Sequence, residues 1–152
     1  MNIQDLHNYY ESLSEEEREE LENEGAILLW PPSEMGYDSD PEGYVAFLTT
    51  GGDGVHYNLP ENSNDGKIIM TVPMSFDNEN FILGESLYEF MCLGCDFGYF
   101  SLEQLAYNFD TTVEEISNAK PQSDALLKLK KHFNLEPWKN TEARLKQLND
   151  FA

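Results

Sequence analysis

Apolar side chains near the amino terminus recur three and four residues apart, the period of an amphipathic α-helix. They are Leu6, Tyr9, Tyr10 and Leu13. Ser14 and Glu17 then match the S-x-x-E pattern of a capping box, so a second helix is predicted over 15–24, ending at Gly25. Because Leu21 is the one clearly apolar residue in that stretch, most of the second helix is expected to face water.

The middle of the chain has a different pattern, in which short runs of β-branched and aromatic residues alternate with turn residues. The predicted strands are 26–30, 44–50, 55–59 and 67–73. Pro31 and Pro32 are expected to end the first strand, because proline cannot donate to a ladder. The glycine-rich turn at 51–54 joins the second and third strands into a hairpin. Loops are predicted at 33–43, 60–66 and 75–80.

From Glu85 onward the pattern becomes helical again. The predicted helices are one carrying Leu87, Phe90, Met91 and Leu93, a short one beginning at 101–104, and three at 113–119, 124–133 and 141–151. Their N-caps are expected at Thr111 or Thr112 for the third of these and at Asn140 or Thr141 for the last. The fourth should set Leu126, Leu127, Leu129 and Phe133 against Lys128, Lys130 and Lys131.

Strands that cluster first and helices that follow predict an α+β fold with an antiparallel sheet, and not a doubly wound α/β fold. The length of 152 residues suits a single domain spanning 1–152. Its core is expected at about 15–95, followed by a helical C-terminal extension at about 100–152.

The charge is strongly negative and unevenly placed. The whole chain carries −20, and residues 1–110 hold 23 acidic and two basic side chains, which leaves −21 there. A negative field of this kind repels nucleic acids and anionic membranes and attracts basic proteins. The alternative explanation is that the charge only keeps the protein soluble. The lysines of 124–133 are expected to form internal ion pairs. No apolar run of 18 residues and no signal peptide is found, so we expect a cytoplasmic protein that contacts neither membrane nor nucleic acid.

Three patterns could carry chemistry, and each has a structural alternative that we favour. Cys92 and Cys95 form one C-x-x-C without the second pair that zinc needs, so they are expected to be buried structural thiols. Asp38, Asp40 and Glu42 resemble the start of a calcium loop, but Thr49 stands where that loop needs a glutamate. His56 beside Asp53 has no recognisable nucleophile, so it is expected to be structural. No catalytic residue, metal or cofactor is predicted.

Acidic and aromatic residues in the predicted loops are the candidates for partner binding. They are Tyr37, Asp38, Asp40, Glu42, Asp53 and Asp65. Carboxylates attract cationic partners, and tyrosine is a frequent interface anchor. Trp30 and Tyr44 are expected in the core.

Four segments resemble the SUKH superfamily of SMI/KNR-type proteins, over roughly residues 15–95. They are Trp30-Pro31-Pro32, Tyr44-Val45-Ala46-Phe47-Leu48, Gly51-Gly52-Asp53-Gly54-Val55 and Ser86-Leu87-Tyr88-Glu89-Phe90-Met91. The resemblance implies a curved antiparallel sheet flanked by helices. Many bacterial members of that superfamily are immunity proteins that neutralise toxins, often nucleases, so it also implies a protein that binds and does not catalyse.

The function predicted from the sequence is therefore a non-catalytic module that binds a basic protein, such as a toxin, through an acidic surface. Two alternatives remain open. One is a small metal-dependent enzyme that uses the acidic loop residues with His56, and the other is a regulatory or scaffolding protein without a toxin partner. The sequence leaves the oligomeric state undetermined.

Overall fold

A computed structural model describes residues 1–121 and 123–150, which form one five-stranded sheet and a set of helices. The strands are β1 (Ile27–Ser33), β2 (Tyr44–Thr49), β3 (His56–Pro60), β4 (Ile68–Thr71) and β5 (Asn80–Gly84). Each strand pairs antiparallel with the next one in the chain, so their order in the sheet is their order in the sequence. The α+β fold with an antiparallel sheet is confirmed.

Helices precede and follow the sheet. They are α1 (Ile3–Ser12), α2 (Glu15–Asn23), α3 (Leu87–Gly94), a 3₁₀ helix (Ser101–Ala106), α4 (Phe109–Asn118), α5 (Asp124–Phe133) and α6 (Thr141–Asn149). Ser14 and Glu17 form the predicted capping box at the start of α2. Gly25 follows this helix with a φ of 82°, a left-handed conformation that glycine adopts without strain. Both features of the second predicted helix are confirmed.

The prediction that Pro31 and Pro32 end the first strand is wrong, because β1 continues through both residues to Ser33. β1 lies at the edge of the sheet and pairs only with β2, with an irregular register between Leu28 and Ser33. Proline is tolerated on an edge strand, since no second neighbour needs its missing N–H. Trp30 is not a core residue as predicted: it is 41% exposed.

Trp30 instead stacks on His7 of α1, with ring centroids 4.0 Å apart and planes 9° apart. Tyr44, the other aromatic residue expected in the core, is only partly buried at the start of β2.

β5 was missed by the sequence pattern, which predicted no element between residue 80 and the helix after Glu85. The outer edge of β5 is closed by a side chain of α6. The amide of Asn149 accepts a bond from the Ile82 N–H at 2.7 Å and donates one to the Ile82 carbonyl at 3.0 Å. The Asn149 side chain therefore takes the place that a further strand would occupy.

The helical predictions hold in outline and fail at two details. α4 begins after Asn108, and not after Thr111 or Thr112 as predicted. Both threonines lie inside the helix, and the Thr112 side chain is buried. Leu127 is 41% exposed, while Ala125 takes the core-facing position. Asn140 is the N-cap of α6, as one of the two alternatives had it, although its side chain makes no capping bond. The predicted end of this helix at 151 lies outside the described residues.

Two of the three lysines of α5 pair with acidic groups of the same chain, as predicted, whereas Lys131 forms no ion pair in the described residues. Lys128 binds Glu17 of α2, and Lys130 binds Asp96 at 2.7 Å. These pairs fasten the C-terminal helices to the earlier part of the molecule.

One face of the sheet packs against the helices and builds the core. Tyr57, Met70 and Phe81 are direct neighbours on adjacent strands and are almost fully buried. Phe90 of α3 packs its ring against Tyr57 at 4.8 Å between centroids and against Phe47 at 6.0 Å. The period-2 alternation of the strands puts His56 on the opposite face of the sheet.

Buried tyrosine hydroxyls connect the layers of the core. Tyr57 of β3 donates to the carbonyl of Tyr99, and Tyr99 donates to the carbonyl of Met91 at 2.6 Å. Tyr10 of α1 donates to the carbonyl of Ala26 at 2.5 Å. Burial raises the pKa of each of these phenols well above its ordinary value, so all three remain donors at physiological pH.

Replacement of Tyr57 by Phe tests this connection. The change removes one hydroxyl and leaves the buried carbonyl of Tyr99 without its partner. We expect the free energy of unfolding in urea to fall by about 1–3 kcal/mol. Tyr88→Phe is the matched control, because its hydroxyl also bonds a carbonyl, that of Asn134, at an exposed position that water can reach. A loss for Tyr57→Phe no larger than that of the control would contradict the assigned role.

Asn149→Ala tests the closure of the β5 edge. Loss of the two bonds to Ile82 should lower the free energy of unfolding by roughly 1–2 kcal/mol. Asn118→Ala is the comparison, since that amide bonds only within its own helix, to the Glu114 carbonyl. Hydrogen exchange of the Ile82 amide should accelerate in Asn149→Ala alone, and unchanged exchange would show that the edge is protected by other means.

Candidate protein-binding surface

The loop between β1 and β2 folds over the second face of the sheet and is attached there through His56. This histidine is completely buried on β3. Its Nε2 lies 2.9 Å from Oδ1 of Asp40 in the loop, and its Nδ1 lies 2.7 Å from the carbonyl oxygen of Gly54. His56 therefore pairs with Asp40 and not with Asp53, the neighbour suggested by the sequence.

Asp40 also organises the loop itself. Its second oxygen accepts bonds from the backbone N–H groups of Gly36 at 3.0 Å and Tyr37 at 3.2 Å. The Tyr37 ring stacks over His56, with centroids 5.7 Å apart and planes 20° apart. One carboxylate thus fixes both the turn at 36–40 and the position of an exposed tyrosine.

A chain of polar side chains provides a second attachment for the loop. Asn58 donates to the hydroxyl of Thr71 at 3.0 Å, and that hydroxyl donates to Oδ1 of Asn80 at 2.6 Å. The amide of Asn80 then donates to the Ser39 carbonyl in the loop at 2.9 Å. Buried polar groups need hydrogen-bond partners. Here the polar side chains on this face of the sheet and the backbone of the loop supply those partners to each other.

The β2–β3 turn lies against this loop. Gly51, Asp53 and Gly54 all have positive φ angles, of 79°, 51° and 75°. The positive φ at Gly54 favours glycine, and a side chain there would meet the Tyr37 ring, which would have to shift. The turn presents the carboxylate of Asp53 to solvent beside Tyr37.

The 3₁₀ helix and its flanks complete the same surface from the other side of the turn. Phe100 is 47% exposed, and its ring lies against Gly52. Glu103 is partly buried, and both its burial and the nearby charge of Asp53 raise its pKa. Tyr107 is 47% exposed, and burial of its hydroxyl together with the charges of Glu103 and Asp53 raises its pKa as well.

We call this region the aromatic–acidic surface and define it by Tyr37, Asp53, Phe100, Glu103 and Tyr107. Three aromatic rings and two carboxylates from three separate segments meet there. Exposed apolar side chains of the β4–β5 turn, Met74 and Phe76, lie at the same end of the sheet, because both turns connect strands at that end. Phe76 is 82% exposed.

The sequence candidates are distributed unequally around this surface. Tyr37 and Asp53 belong to it, and Asp38 and Glu42 are exposed in the adjoining loop. Asp40 faces inward, where its side chain is 19% exposed and bonded to His56. Asp65 lies at the opposite end of the sheet, where its Oδ1 accepts bonds from the N–H groups of Gly66 and of Leu87 at the start of α3.

Phe100, Glu103 and Tyr107 were not identified from the sequence. The pattern of their segment predicts the beginning of a short helix. Aromatic residues in such a pattern can be buried or exposed, so the sequence does not mark them as surface residues. The bond from the Phe100 N–H to the Glu24 carbonyl, which brings this segment beside the turn, joins residues far apart in the chain.

The carboxylates of this region lack basic partners. Within residues 1–121 and 123–150, no lysine or arginine forms an ion pair with Asp38, Glu42, Asp53 or Glu103. Elsewhere several basic residues form ion pairs, as where Arg144 binds Glu89 at 2.9 Å. The surface therefore keeps its negative charge available to another molecule.

The other chemical candidates have structural surroundings. Cys92 and Cys95 are buried free thiols, and burial raises the pKa of both, that of Cys95 to about 12. A thiol with such a pKa supplies almost no thiolate at physiological pH. No group of three or more potential metal-ligating side chains comes together in the described part of the chain.

Comparisons with protein-family models, with curated proteins and with solved structures found no match to this chain. In the described ranges, no helix combines the length and the apolar content that crossing a bilayer requires.

Asp53→Asn tests the electrostatic coupling within the surface. Removal of the Asp53 charge should lower the pKa of Glu103, but not to its ordinary value, because burial still opposes ionisation. The measurement is a titration of the side-chain carboxyl carbons followed by NMR. Asp38→Asn removes the same charge from the adjoining loop and should leave Glu103 nearly unchanged. Equal responses to both changes would mean that the coupling reflects only the overall charge.

Proposed function

We propose that this protein is a non-catalytic binding module that recognises a basic protein through the aromatic–acidic surface. The resemblance to the SUKH superfamily supports an immunity-type role, in which the basic partner is a toxin, such as a nuclease. The observation that carries the proposal is the set of carboxylates without basic partners beside exposed aromatic rings.

The arrangement is unfavourable for the isolated protein. Asp53 and Glu103 repel each other, and Glu103 is partly desolvated, as its raised pKa reflects. A carboxyl whose pKa is raised by folding makes the folded state less stable as pH rises through that pKa. Like charges held together at such a cost are typical of a site that awaits a cation.

The chemistry of the surface favours arginine over lysine in the partner. A guanidinium group can bind a carboxylate with two parallel hydrogen bonds and stack on an aromatic ring at the same time. Tyr107 places such a ring near Asp53, and the Tyr37 ring lies against Gly54, the next residue of the turn. In a nuclease, the arginines that bind phosphate have this chemistry, so carboxylates can take the place of phosphates.

The apolar residues at this end of the sheet add to the proposed interface. Exposed aromatic side chains act as anchors when a partner pocket removes them from water. Phe76 has this exposure at the β4–β5 turn, next to the exposed carboxylate of Asp77. A partner with a cationic rim around an apolar pocket would suit both features.

A pull-down with matched variants tests the proposal. Immobilised protein is mixed with an extract of its source cells at low and at high salt, and each retained protein is purified for a binary affinity measurement. We expect a basic protein whose Kd rises with salt and rises about tenfold in the Asp53→Asn, Glu103→Gln variant, which corresponds to about 1.4 kcal/mol.

The control variant is Glu15→Gln, Glu19→Gln, which removes the same charge from the exposed side of α2. It should bind nearly as well as the unchanged protein. A partner that loses affinity equally in both variants responds to net charge and not to this surface. Retention of no basic protein, or binding that is indifferent to salt, would refute the proposal.

A further inference from the structure

The two ring nitrogens of His56 both face hydrogen-bond acceptors, and this fixes where protons must be. The carbonyl of Gly54, 2.7 Å from Nδ1, can only accept, so Nδ1 carries a proton. A neutral imidazole has one proton, and Nε2 would then point a lone pair at Asp40 from 2.9 Å. Two lone pairs at this distance repel, so the pair must hold one more proton between Nε2 and Oδ1.

The surroundings of Asp40 place that proton on the histidine. Oδ2 of Asp40 already accepts two backbone N–H bonds, from Gly36 and Tyr37. Bonds of this kind favour the ionised carboxylate. We infer that His56 is a doubly protonated imidazolium in the folded protein, and that its second proton is the positioning contact that seats the 34–43 loop.

The remaining neighbours of His56 are compatible with a positive charge. The Tyr37 ring is stacked over the imidazole, and an aromatic face attracts a cation. Thr49 and Thr71 are its partners on the two adjacent strands and do not titrate. Asp53 lies three residues before His56 in the β2–β3 turn and is exposed to solvent. No lysine or arginine in the described ranges pairs with Asp40 or Asp53.

This contact makes the loop sensitive to pH in a defined direction. A histidine that is charged because of its folded surroundings contributes stability that is lost as pH rises and the proton leaves. Loss of the Nε2 proton sets a lone pair against the Asp40 carboxylate, so the turn that carries Tyr37 and Asp38 should loosen, while Ser39 keeps its bond from Asn80. If the proposed function is correct, partner binding weakens over the same pH range.

NMR of the protein alone tests the proton, independently of any partner. The chain has three histidines, and His7 and His132 are exposed or partly exposed internal references. We expect both ring nitrogens of His56 to show the ¹⁵N shifts of protonated nitrogens at neutral pH, as the two acceptors that face them require. The amide signals of Gly36 and Tyr37 should move only when His56 finally titrates.

Asp40→Asn preserves the shape of the pair and removes its charge. The asparagine amide can donate to an unprotonated Nε2, so the His56 Nε2 signal should change to that of an unprotonated nitrogen and the pH response of the loop amides should vanish. His132→Gln, a control outside the loop, should leave both unchanged. An unprotonated Nε2 in the unchanged protein, or loop amides that do not respond when His56 titrates, would overturn the inference. Failure to bind a basic partner would leave these NMR results intact.

Discussion

The hydrogen bonds of Tyr99 hold the layers of this molecule together. Its carbonyl accepts from Tyr57 in the sheet, its hydroxyl donates to Met91 in α3, and its N–H donates to Glu24 at the end of α2 at 2.8 Å. Because the residue is completely buried, none of these groups could turn to water instead. Tyr99 therefore joins the sheet to α3 and to the end of α2. These bonds also fix the position of Phe100, the next residue in the chain.

That position explains how three separate segments form one surface. Phe100 follows Tyr99 directly and lies against the β2–β3 turn, and the 3₁₀ helix then sets Glu103 near Asp53. On the other side of the turn, Tyr37 is held by Asp40 and His56. Buried hydrogen bonds thus support the surface, while its exposed carboxylates lack basic partners. A rigid support with unpaired charges suits recognition, because little ordering is left for the moment of binding.

The sequence correctly predicted the elements that depend on residues close together in the chain. It did not predict features that depend on contacts between distant parts of the chain. Ser14 and Glu17 act within one helix turn, so the start of α2 could be predicted from them. β1 continues through Pro31 and Pro32 because it lies at an edge, and an edge is a property of the whole sheet. Tyr37 and Asp53 were candidates from their loops, but Phe100, Glu103 and Tyr107 join them only through long-range contacts. The partner of His56 was likewise 16 residues away and not in the same turn.

The two outer strands have consequences for how this protein can meet others. On β1, Pro31 and Pro32 have no N–H to offer an incoming strand, and on β5 the backbone groups of Ile82 are already taken by Asn149. An extended segment of another polypeptide therefore finds no continuous ladder to join at either side. The same two features disfavour strand-to-strand association between copies of the chain, which is how exposed sheet edges usually aggregate.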